Sequence, residues 1–399
     1  MRISPDARRS FPTEESPVVQ PQARSHRAAA LIIAALVLLA AFVFAAPYLS
    51  SVLKQSYSFL SGSSTTGPST IASTPSNATS TATTTSTINT QCSSVVSVKN
   101  LAAPDIRNGS ADIAYPSDYC TLAAYALGQI NQDRAANGTG PVTLDYNQAA
   151  QQHADSMLYY GYFSHNDTQG YKPYMRYSLL GGRGADFENV AYYYFSIPHF
   201  LSTGSVETAV SDLEYSMVYN DSSCCANGHR FNILDPLHNQ VSIGVAYNST
   251  TVYFDEEFEN NYISLNFTVT QGSASDPYYV TLEGVPTGSF PNPSSLYVAF
   301  DNSPVAATPG ELNSGPHEYG PGTLVGGVLP RVGFFGDCGQ FTSGTTVCAD
   351  TWEVTSTTVD IAFPLNPFIR EYGPGVYTLY LITGSSTDSA VTSICVFVP

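Results

Sequence analysis

The sequence predicts an α+β protein with an N-terminal transmembrane helix and a C-terminal region that is all β and sandwich-like. Three observations support this fold class. A long uncharged apolar run lies near the N-terminus, and helical periodicity follows in the middle third. Short runs of β-forming residues, interrupted by Pro, Gly, Ser and Thr, fill the last third. A length of 399 residues accommodates about two to three domains.

The apolar run covers residues 28–49 and contains no charged side chain. About 20 such residues span the hydrocarbon core of a bilayer as a helix. Because five arginines precede the run and only Lys54 follows closely, we expect residues 1–27 in the cytoplasm and the rest outside the cell. A cleaved signal peptide is the alternative, but this run is longer than the usual apolar region of one. The prediction is therefore a single-pass signal anchor in the cell membrane.

The segment after the anchor has the composition of a stalk. Residues 50–91 are rich in Ser and Thr with little to bury, and residues 92–118 are expected to connect this stalk to the first folded domain. Asn-x-Ser/Thr sequons fit a glycoprotein that is exposed outside the cell. They occur at Asn77, Asn108, Asn137, Asn166, Asn220, Asn248 and Asn266.

All seven cysteines follow the anchor, which suits disulfide formation in an oxidising compartment. The sequence leaves their pairing open. Candidate pairs are Cys338 with Cys348 and Cys92 with Cys120, and one of the adjacent Cys224 and Cys225 could be left over. Metal binding by the cysteines is disfavoured because the sequence has no Cys-x-x-Cys spacing.

The charge balance excludes one class of partner. With 15 basic and 32 acidic residues, the chain has a formal net charge of -17. Such a protein repels phosphate backbones, so we expect no nucleic-acid partner. Charged residues make up only 12% of the chain, and a surface with few lysines gains little positive charge at low pH. We therefore expect the fold to persist at acidic pH.

The middle third alternates helical and extended patterns. Helices are predicted at 119–136, 145–160 and 206–219, and strands at 241–247 and 251–258. Asp145 is the expected N-cap of the second helix. His153 lies on the apolar stripe of that helix, which predicts a core histidine.

A series of short motifs follows one another in order through residues 119–259. The motifs are Ile130-Asn131-x-x-Arg134, Leu144-Asp145, His153-Ala154-Asp155-Ser156-Met157, Phe163-Ser164-His165, Glu188-Asn189-Val190, Gly228-His229-Arg230-x-Asn232-Ile233-Leu234 and Ile243-Gly244-Val245. This series resembles the CAP superfamily, which includes cysteine-rich secretory proteins, antigen 5 and plant pathogenesis-related proteins. It is most similar to the microbial branch of SCP-like extracellular domains.

The resemblance implies an α-β-α sandwich, with a central antiparallel sheet and a cleft lined by two histidines and two acidic residues. Position by position, His165, Glu188 and His229 match three of these four residues. The fourth position falls on Ser216. Glu214 lies nearby in sequence, but about 200° around the helix from Ser216. We therefore expect a cleft with three members. An insertion over residues 217–227, which contains the adjacent cysteines, is expected to lie beside it.

The chemistry of these residue types agrees with a metal-binding cleft. His165 and His229 are candidate ligands of Zn²⁺ or another divalent cation, and Glu188 is a candidate general base. These three are also the candidate catalytic residues if the cleft is an active site. The sequence has no Gly-x-Ser-x-Gly and no His-Glu-x-x-His motif, which disfavours a conventional hydrolase.

Residues 260–399 resemble no family that we recognise. Candidate strands are 262–270, 278–282, 296–300, 323–329, 331–335, 352–354, 358–363, 376–383 and 391–398. Their number and spacing predict a β-sandwich. Histidines without a surrounding motif are His199, His238 and His317.

Taken together, the sequence favours a membrane-anchored extracellular binding module over an enzyme. The resemblance implies varied activities, so a lipid, a glycan or another surface protein is the expected class of partner. The alternative is a metal-assisted extracellular hydrolase, of protease type, that uses the same cleft. A structural role in the cell envelope, with a degenerate cleft, is a third hypothesis.

Overall fold

The computed structural model describes Cys92 and residues 117–270, 278–288, 293–332, 337–341, 343–383 and 389–399. The predicted cytoplasmic segment, transmembrane helix and stalk lie outside these residues, as does nearly all of the connector. Within the part of the chain that the structure describes, no helix is both long enough and apolar enough to cross a membrane.

Residues 119–260 form three layers, with helices on both faces of one sheet. The elements are α1 Tyr119–Ala136, β1 Thr143–Asp145, α2 Ala149–Tyr160, α3 Pro173–Leu179, β2 Ala185–Tyr194, α4 Thr203–Tyr219, α5 Ser222–Cys225, α6 Gly228–Ile233, β3 Gln240–Tyr247 and β4 Thr251–Asn260. The sheet order is β1-β3-β4-β2. The pairs β3–β4 and β2–β4 are antiparallel, whereas β1 pairs with β3 in parallel, so the sheet is mixed rather than antiparallel throughout.

Alternation along the strands assigns each side chain to one face of the sheet. Val241, Ile243 and Val245 of β3 are fully buried and pack with apolar residues of α1 and α4 in the main core. The intervening residues of β3 face α2 on the opposite side. The same period in β4 directs Asp255 and Glu257 toward α2 and α3, which is how carboxylates enter the interior.

Gly244 sets the distance between β3 and α2. A Cβ atom at this position would lie 2.2 Å from the backbone oxygen of Ala150. We expect Gly244→Ala to destabilise the fold by about 1–3 kcal/mol, because the whole helix has to move outward. Gly128→Ala is the matched control, since Gly128 is exposed in α1 with no atom near its missing Cβ. That substitution is expected to stabilise by about 0.5–1 kcal/mol. Urea denaturation of both variants measures the difference, and equal effects would contradict this account.

The second predicted helix begins later than expected. It starts at Ala149, and Asp145 belongs to β1, where it pairs with Ser242 of β3. Asp145 is therefore not an N-cap. Its carboxylate instead accepts a hydrogen bond from the backbone N–H of Asn147, at 3.0 Å, and the Asn147 side chain accepts one from the N–H of Ala149, at 2.9 Å. Sequence periodicity could not detect a strand of three residues that joins the helix through a turn.

The C-terminal part consists of two sheets that share one core. Its elements are β5 Ile263–Thr270, β6 Tyr279–Pro286, β7 Ser295–Asp301, α7 Pro309–Ser314, β8 Thr323–Leu329, β9 Thr345–Cys348, β10 Thr351–Val354, β11 Val359–Pro364, α8 Asn366–Tyr372, β12 Gly375–Ile382 and β13 Ile394–Val398. The sheet orders are β10-β11-β6-β5 and β13-β12-β7-β8-β9. Residues 333–335 of the predicted strand 331–335 lie outside the described residues, and its Val332 forms an isolated bridge with Asp337. The two helices and β9 were not predicted.

The disulfides correct one expectation about the cysteines. Cys92 pairs with Cys120 and Cys338 pairs with Cys348, as proposed from the sequence. Cys224 and Cys225 pair with each other, so neither is left over. The free cysteine is Cys395, which is buried. It lies on β13, where its sulfur is 3.7 Å from the backbone oxygen of Tyr174, against the helix layer.

Candidate functional site

His165 lies in the loop after α2 and is held by a carboxylate on β2. Its Nδ1 is 2.7 Å from Oε1 of Glu188. The backbone oxygen of His165 accepts a hydrogen bond from the Arg176 guanidinium at 2.8 Å, which fixes the loop as well as the ring. Since an ionised carboxylate only accepts hydrogen bonds, Nδ1 carries a proton, and in the neutral tautomer the lone pair then lies on Nε2.

Glu188 is almost completely buried and both of its oxygens are engaged. Oε1 accepts from His165, while Oε2 pairs with the Arg176 guanidinium and lies 3.0 Å from Nδ1 of His153. Burial alone would raise the pKa of Glu188, but the charge of Arg176 and the hydrogen bonds from the two imidazoles hold this pKa well below its usual range. Glu188 is therefore an ionised group that orients its neighbours. A carboxylate in this state is a poor proton acceptor.

His229 is positioned by a second carboxylate. It lies on α6, and its Nδ1 is 2.7 Å from Oδ1 of Asp221, whose side chain is buried. The chain returns to Asp221 because Ala226 and Asn227 both adopt left-handed backbone angles, with φ of 51° and 67°. The second oxygen of Asp221 accepts the backbone N–H of Arg230 at 3.2 Å. Sequence reasoning missed Asp221, although it lies within the insertion that was expected beside the cleft.

The three predicted cleft residues line one cavity of about 1060 Å³. Its walls come from β2, from the loop after α2, from α5 and α6, and from a segment of the C-terminal part. The lining residues include Phe187, Asn189, Phe231, Asn232 and Asp235. Within the described ranges, Nε2 of His165 and Nε2 of His229 have no hydrogen-bond partner, so both nitrogens remain available to a ligand.

The fourth position of the cleft, predicted at Ser216, lies on α4. Ser216 lies with His165 and His229 in a smaller pocket of about 270 Å³ beside the main cavity. Glu214, on the same helix, is buried on the other side and interacts with Glu256 of β4. Burial and the Glu256 carboxyl raise the pKa of Glu214 well above its usual range. Glu214 therefore belongs to the interior, and no carboxylate from α4 reaches the cleft.

His153, expected in the core, is buried within a polar network instead of an apolar one. Its Nδ1 lies 2.9 Å from Oδ2 of Asp255 and 3.1 Å from the Arg176 guanidinium. Burial, followed by the charge of Arg176, lowers the pKa of His153 to about 4. His153, Glu188 and Asp255 are close enough together to hold a cation. The Arg176 guanidinium already supplies the positive charge there, so this cluster is structural.

The C-terminal part contributes one wall of the cleft, which the sequence did not reveal. Tyr319 packs its ring against His165, with centroids 4.7 Å apart, and its hydroxyl accepts the backbone N–H of Glu188 at 2.7 Å. His317 and Glu318, on the same segment, also line the cavity. This segment follows α7, whose Leu312 is buried against Met157 and Tyr162 of the helix layer.

The two cleft histidines have the carboxylate support that is usual for metal-ligating histidines. A histidine ligand is normally oriented by a carboxylate or carbonyl on its other ring nitrogen, which fixes the tautomer and increases basicity. His165 and His229 each have such a carboxylate, Glu188 and Asp221 respectively. The cleft therefore contains two pre-oriented imidazoles, while Glu188 and Asp221 serve as their supports.

Comparison with known proteins identifies the class of this domain. Residues 127–267 match the CAP family, described as the Cysteine-rich secretory protein family. The chain therefore carries a CAP domain, as its ordered motifs indicated. Among solved structures, an extracellular protein containing a SCP domain from Bacillus anthracis str. Ames is similar, with 16% sequence identity and a TM-score of 0.28. That match covers 35% of this chain and 41% of the other protein. A comparison with curated proteins found no match.

Proposed function

We propose that this protein is an extracellular binding protein whose CAP cleft holds a divalent cation, Zn²⁺ or a similar ion, through Nε2 of His165 and Nε2 of His229. The observation that carries this proposal is the pair of carboxylate-oriented imidazoles in one cavity. Two protein ligands leave coordination positions open, and an oxygen atom of a partner can fill them. The partner is a lipid, a glycan or another surface protein.

Binding is favoured over hydrolysis because Glu188 is not available as a base. Both of its oxygens are engaged, and its pKa is held low by Arg176 and the imidazoles despite the burial that opposes this. A general base works best with a pKa near the operating pH. Ser216 replaces the second acidic residue that the family resemblance implies, so the described cleft offers no substitute from α4.

Three disulfides support an extracellular location, since such bonds persist in oxidising compartments. In this proposal the apolar run at 28–49 anchors the chain in the membrane, and the Ser/Thr-rich stalk holds the CAP domain away from the lipid. O-linked glycans on its Ser and Thr residues would extend that stalk.

Titration calorimetry of the purified full-length protein with Zn²⁺ tests the cation site. We expect measurable binding in the oxidised wild-type protein and its loss in His165→Gln/His229→Gln, because both nitrogen ligands are then gone. His199→Gln is the matched control, since His199 is an exposed histidine outside the cleft. Absence of binding in the wild type, or equal binding in the double variant, would exclude the cation site. Far-ultraviolet circular dichroism checks that all variants fold.

A further inference from the structure

The rim of the cleft contains a cluster of four metal-binding groups, which consists of His229 from the predicted pair and three further residues. Asp221, Cys224, Cys225 and His229 each offer one ligand atom, and these atoms all lie within 4.8 Å of one another. Cys224 Sγ lies 3.5 Å from Oδ1 of Asp221, the oxygen that also contacts His229. Within the described residues, this is the group in which two cysteines, a histidine and a carboxylate come together.

The local backbone brings these four groups to one point. Asp221 precedes α5, a single turn that carries both cysteines. Ala226 and Asn227 then reverse the chain through two consecutive left-handed residues that are not glycine. Such conformations are uncommon outside glycine and cost free energy. The turn returns His229 to Asp221 at 2.7 Å, so the groups are held by a specific fold of the insertion.

We propose that reduction of the Cys224–Cys225 disulfide creates a site for a thiophilic divalent cation of the Zn²⁺ class, with Asp221, Cys224, Cys225 and His229 as its ligands. Two thiolates, an imidazole and a carboxylate make a four-coordinate set of the kind that Zn²⁺ accepts. In the disulfide the two sulfurs are bonded to each other and carry no thiolate charge, so the site is closed.

The redox step is balanced by a dithiol reductant. The disulfide accepts two electrons and two protons and becomes two thiols. The dithiol reductant loses two electrons and two protons and becomes a disulfide. The incoming cation then displaces the two thiol protons to solvent, because the thiolate is the ligand. Opening of the site thus depends on the thiol–disulfide state of the surroundings.

This inference goes beyond the proposed function, although the two sites share His229. The cleft site requires His165 and works with the disulfide intact. The rim site requires the two cysteines and Asp221, operates only after reduction, and does not use His165. The two proposals can therefore fail separately.

Cadmium titration of the full-length protein tests the rim site, since bonds from sulfur to Cd²⁺ give an ultraviolet charge-transfer band. After treatment with a dithiol reductant and its removal without oxygen, we expect this band in the wild type. The oxidised wild type should lack it, and so should reduced Cys224→Ser/Cys225→Ser. Asp221→Asn should lower the affinity for Cd²⁺ about tenfold or more.

Three further variants control for the other thiols, for the cleft and for the disulfide itself. Reduced Cys338→Ser/Cys348→Ser removes another cysteine pair that has an aspartate beside it, and should retain the band. Reduced His165→Gln should retain it as well. The single variant Cys224→Ser cannot form the adjacent disulfide. We expect it to bind Cd²⁺ more weakly than the reduced wild type, and to the same extent with and without the reductant. Circular dichroism after reduction checks the fold.

The inference is overturned if the reduced wild type shows no band while it remains folded. It is also overturned if the band persists in Cys224→Ser/Cys225→Ser or disappears in Cys338→Ser/Cys348→Ser. Loss of the band in His165→Gln would mean that the rim group is not a separate site.

Discussion

Arg176→Met should be among the most destabilising single substitutions in the CAP domain. The Arg176 guanidinium is fully buried, pairs with Glu188, and donates to the backbone oxygens of His165 and Tyr171 at 2.8 and 3.0 Å. Removing it leaves the Glu188 carboxylate buried without its counter-charge. Breaking a buried ion pair in this way costs about 3–5 kcal/mol. We expect a decrease of that size in the free energy of unfolding, measured by urea denaturation at neutral pH.

A surface ion pair provides the matched control for this substitution. Arg331 and Asp350 lie 3.2 Å apart, with 48% of each side chain exposed. Arg331→Met should cost no more than about 1 kcal/mol, since solvent screens exposed pairs. Equal losses in the two variants would show that Glu188 is not ionised in the folded protein. Zn²⁺ binding by the cleft should also weaken in Arg176→Met, because the His165 loop loses its anchor.

The ordered motifs predicted the CAP domain, because they contain both the periodicity of the helices and strands and the polar residues between them. Their assignment of functional residues to the cleft stays a prediction. His165, Glu188 and His229 line one cavity, while Ser216 lies beside it and Glu214 points into the interior. Helical geometry alone predicted that Glu214 and Ser216 face different directions. At about 100° per residue, these two positions lie about 200° apart around the helix.

The supports of the cleft could not be predicted, because they depend on contacts between distant parts of the chain. Arg176 belongs to a helix of seven residues with no clear periodicity, yet it pairs with Glu188. Tyr319 reaches the cleft from the C-terminal part, 131 residues beyond Glu188. The sequence shows such residues as an ordinary arginine and an ordinary tyrosine. Their role arises only when the two parts pack together.

The burial of several carboxyl groups on β4 could not be predicted from the sequence either. In β4, Asp255, Glu256, Glu257 and Glu259 are all fully buried. A strand with charged residues at consecutive positions would normally be placed at the surface. Here both faces of the strand are covered by helices, so the side chains on either face of the strand are buried. The only fully buried cations or imidazoles facing this group from α2 and α3 are Arg176 and His153.

This arrangement predicts a protein that is more stable in acid than at neutral pH. Burial raises the pKa of Glu257 to about 8 and that of Glu256 to about 7, from ordinary values of 4.5. Burial and neighbouring carboxyls also raise the pKa values of Asp186, Asp255 and Glu259 well above their usual range. The buried guanidinium of Arg176 pairs with Glu188 and lies 3.7 Å from Glu257, whereas that of Arg134 donates to backbone oxygens. Among the described ion pairs, Asp186, Glu256 and Glu259 have no cationic partner, so these carboxyls favour the protonated form.

The sign follows from which state holds the proton. A carboxyl with a raised folded pKa binds its proton in the folded protein at pH values where the unfolded chain has released it. Stability is therefore gained as the pH falls from the folded pKa toward the unfolded one. Burial lowers the pKa values of His153 and His238 to about 4, which removes stability as the pH falls from 6.5 toward 4. Glu188 acts in the same direction at still lower pH. More carboxyl groups have raised pKa values than there are groups that act in the opposite direction. We therefore expect the free energy of unfolding to be largest at about pH 4–5.

Urea denaturation across the pH range measures this dependence. Since one pKa unit corresponds to about 1.4 kcal/mol, we expect the free energy of unfolding to fall by about 3 kcal/mol or more from pH 5 to pH 8. Glu256→Gln/Glu257→Gln should flatten this decline, because glutamine keeps the shape of a protonated glutamate and cannot ionise. Glu283→Gln is the matched control, since Glu283 is exposed on β6, and it should leave the profile unchanged. A protein that is most stable near pH 8, or a double variant with an unaltered profile, would contradict the protonated state of these carboxyls. The acid tolerance inferred from low surface charge would then lose its support from the interior.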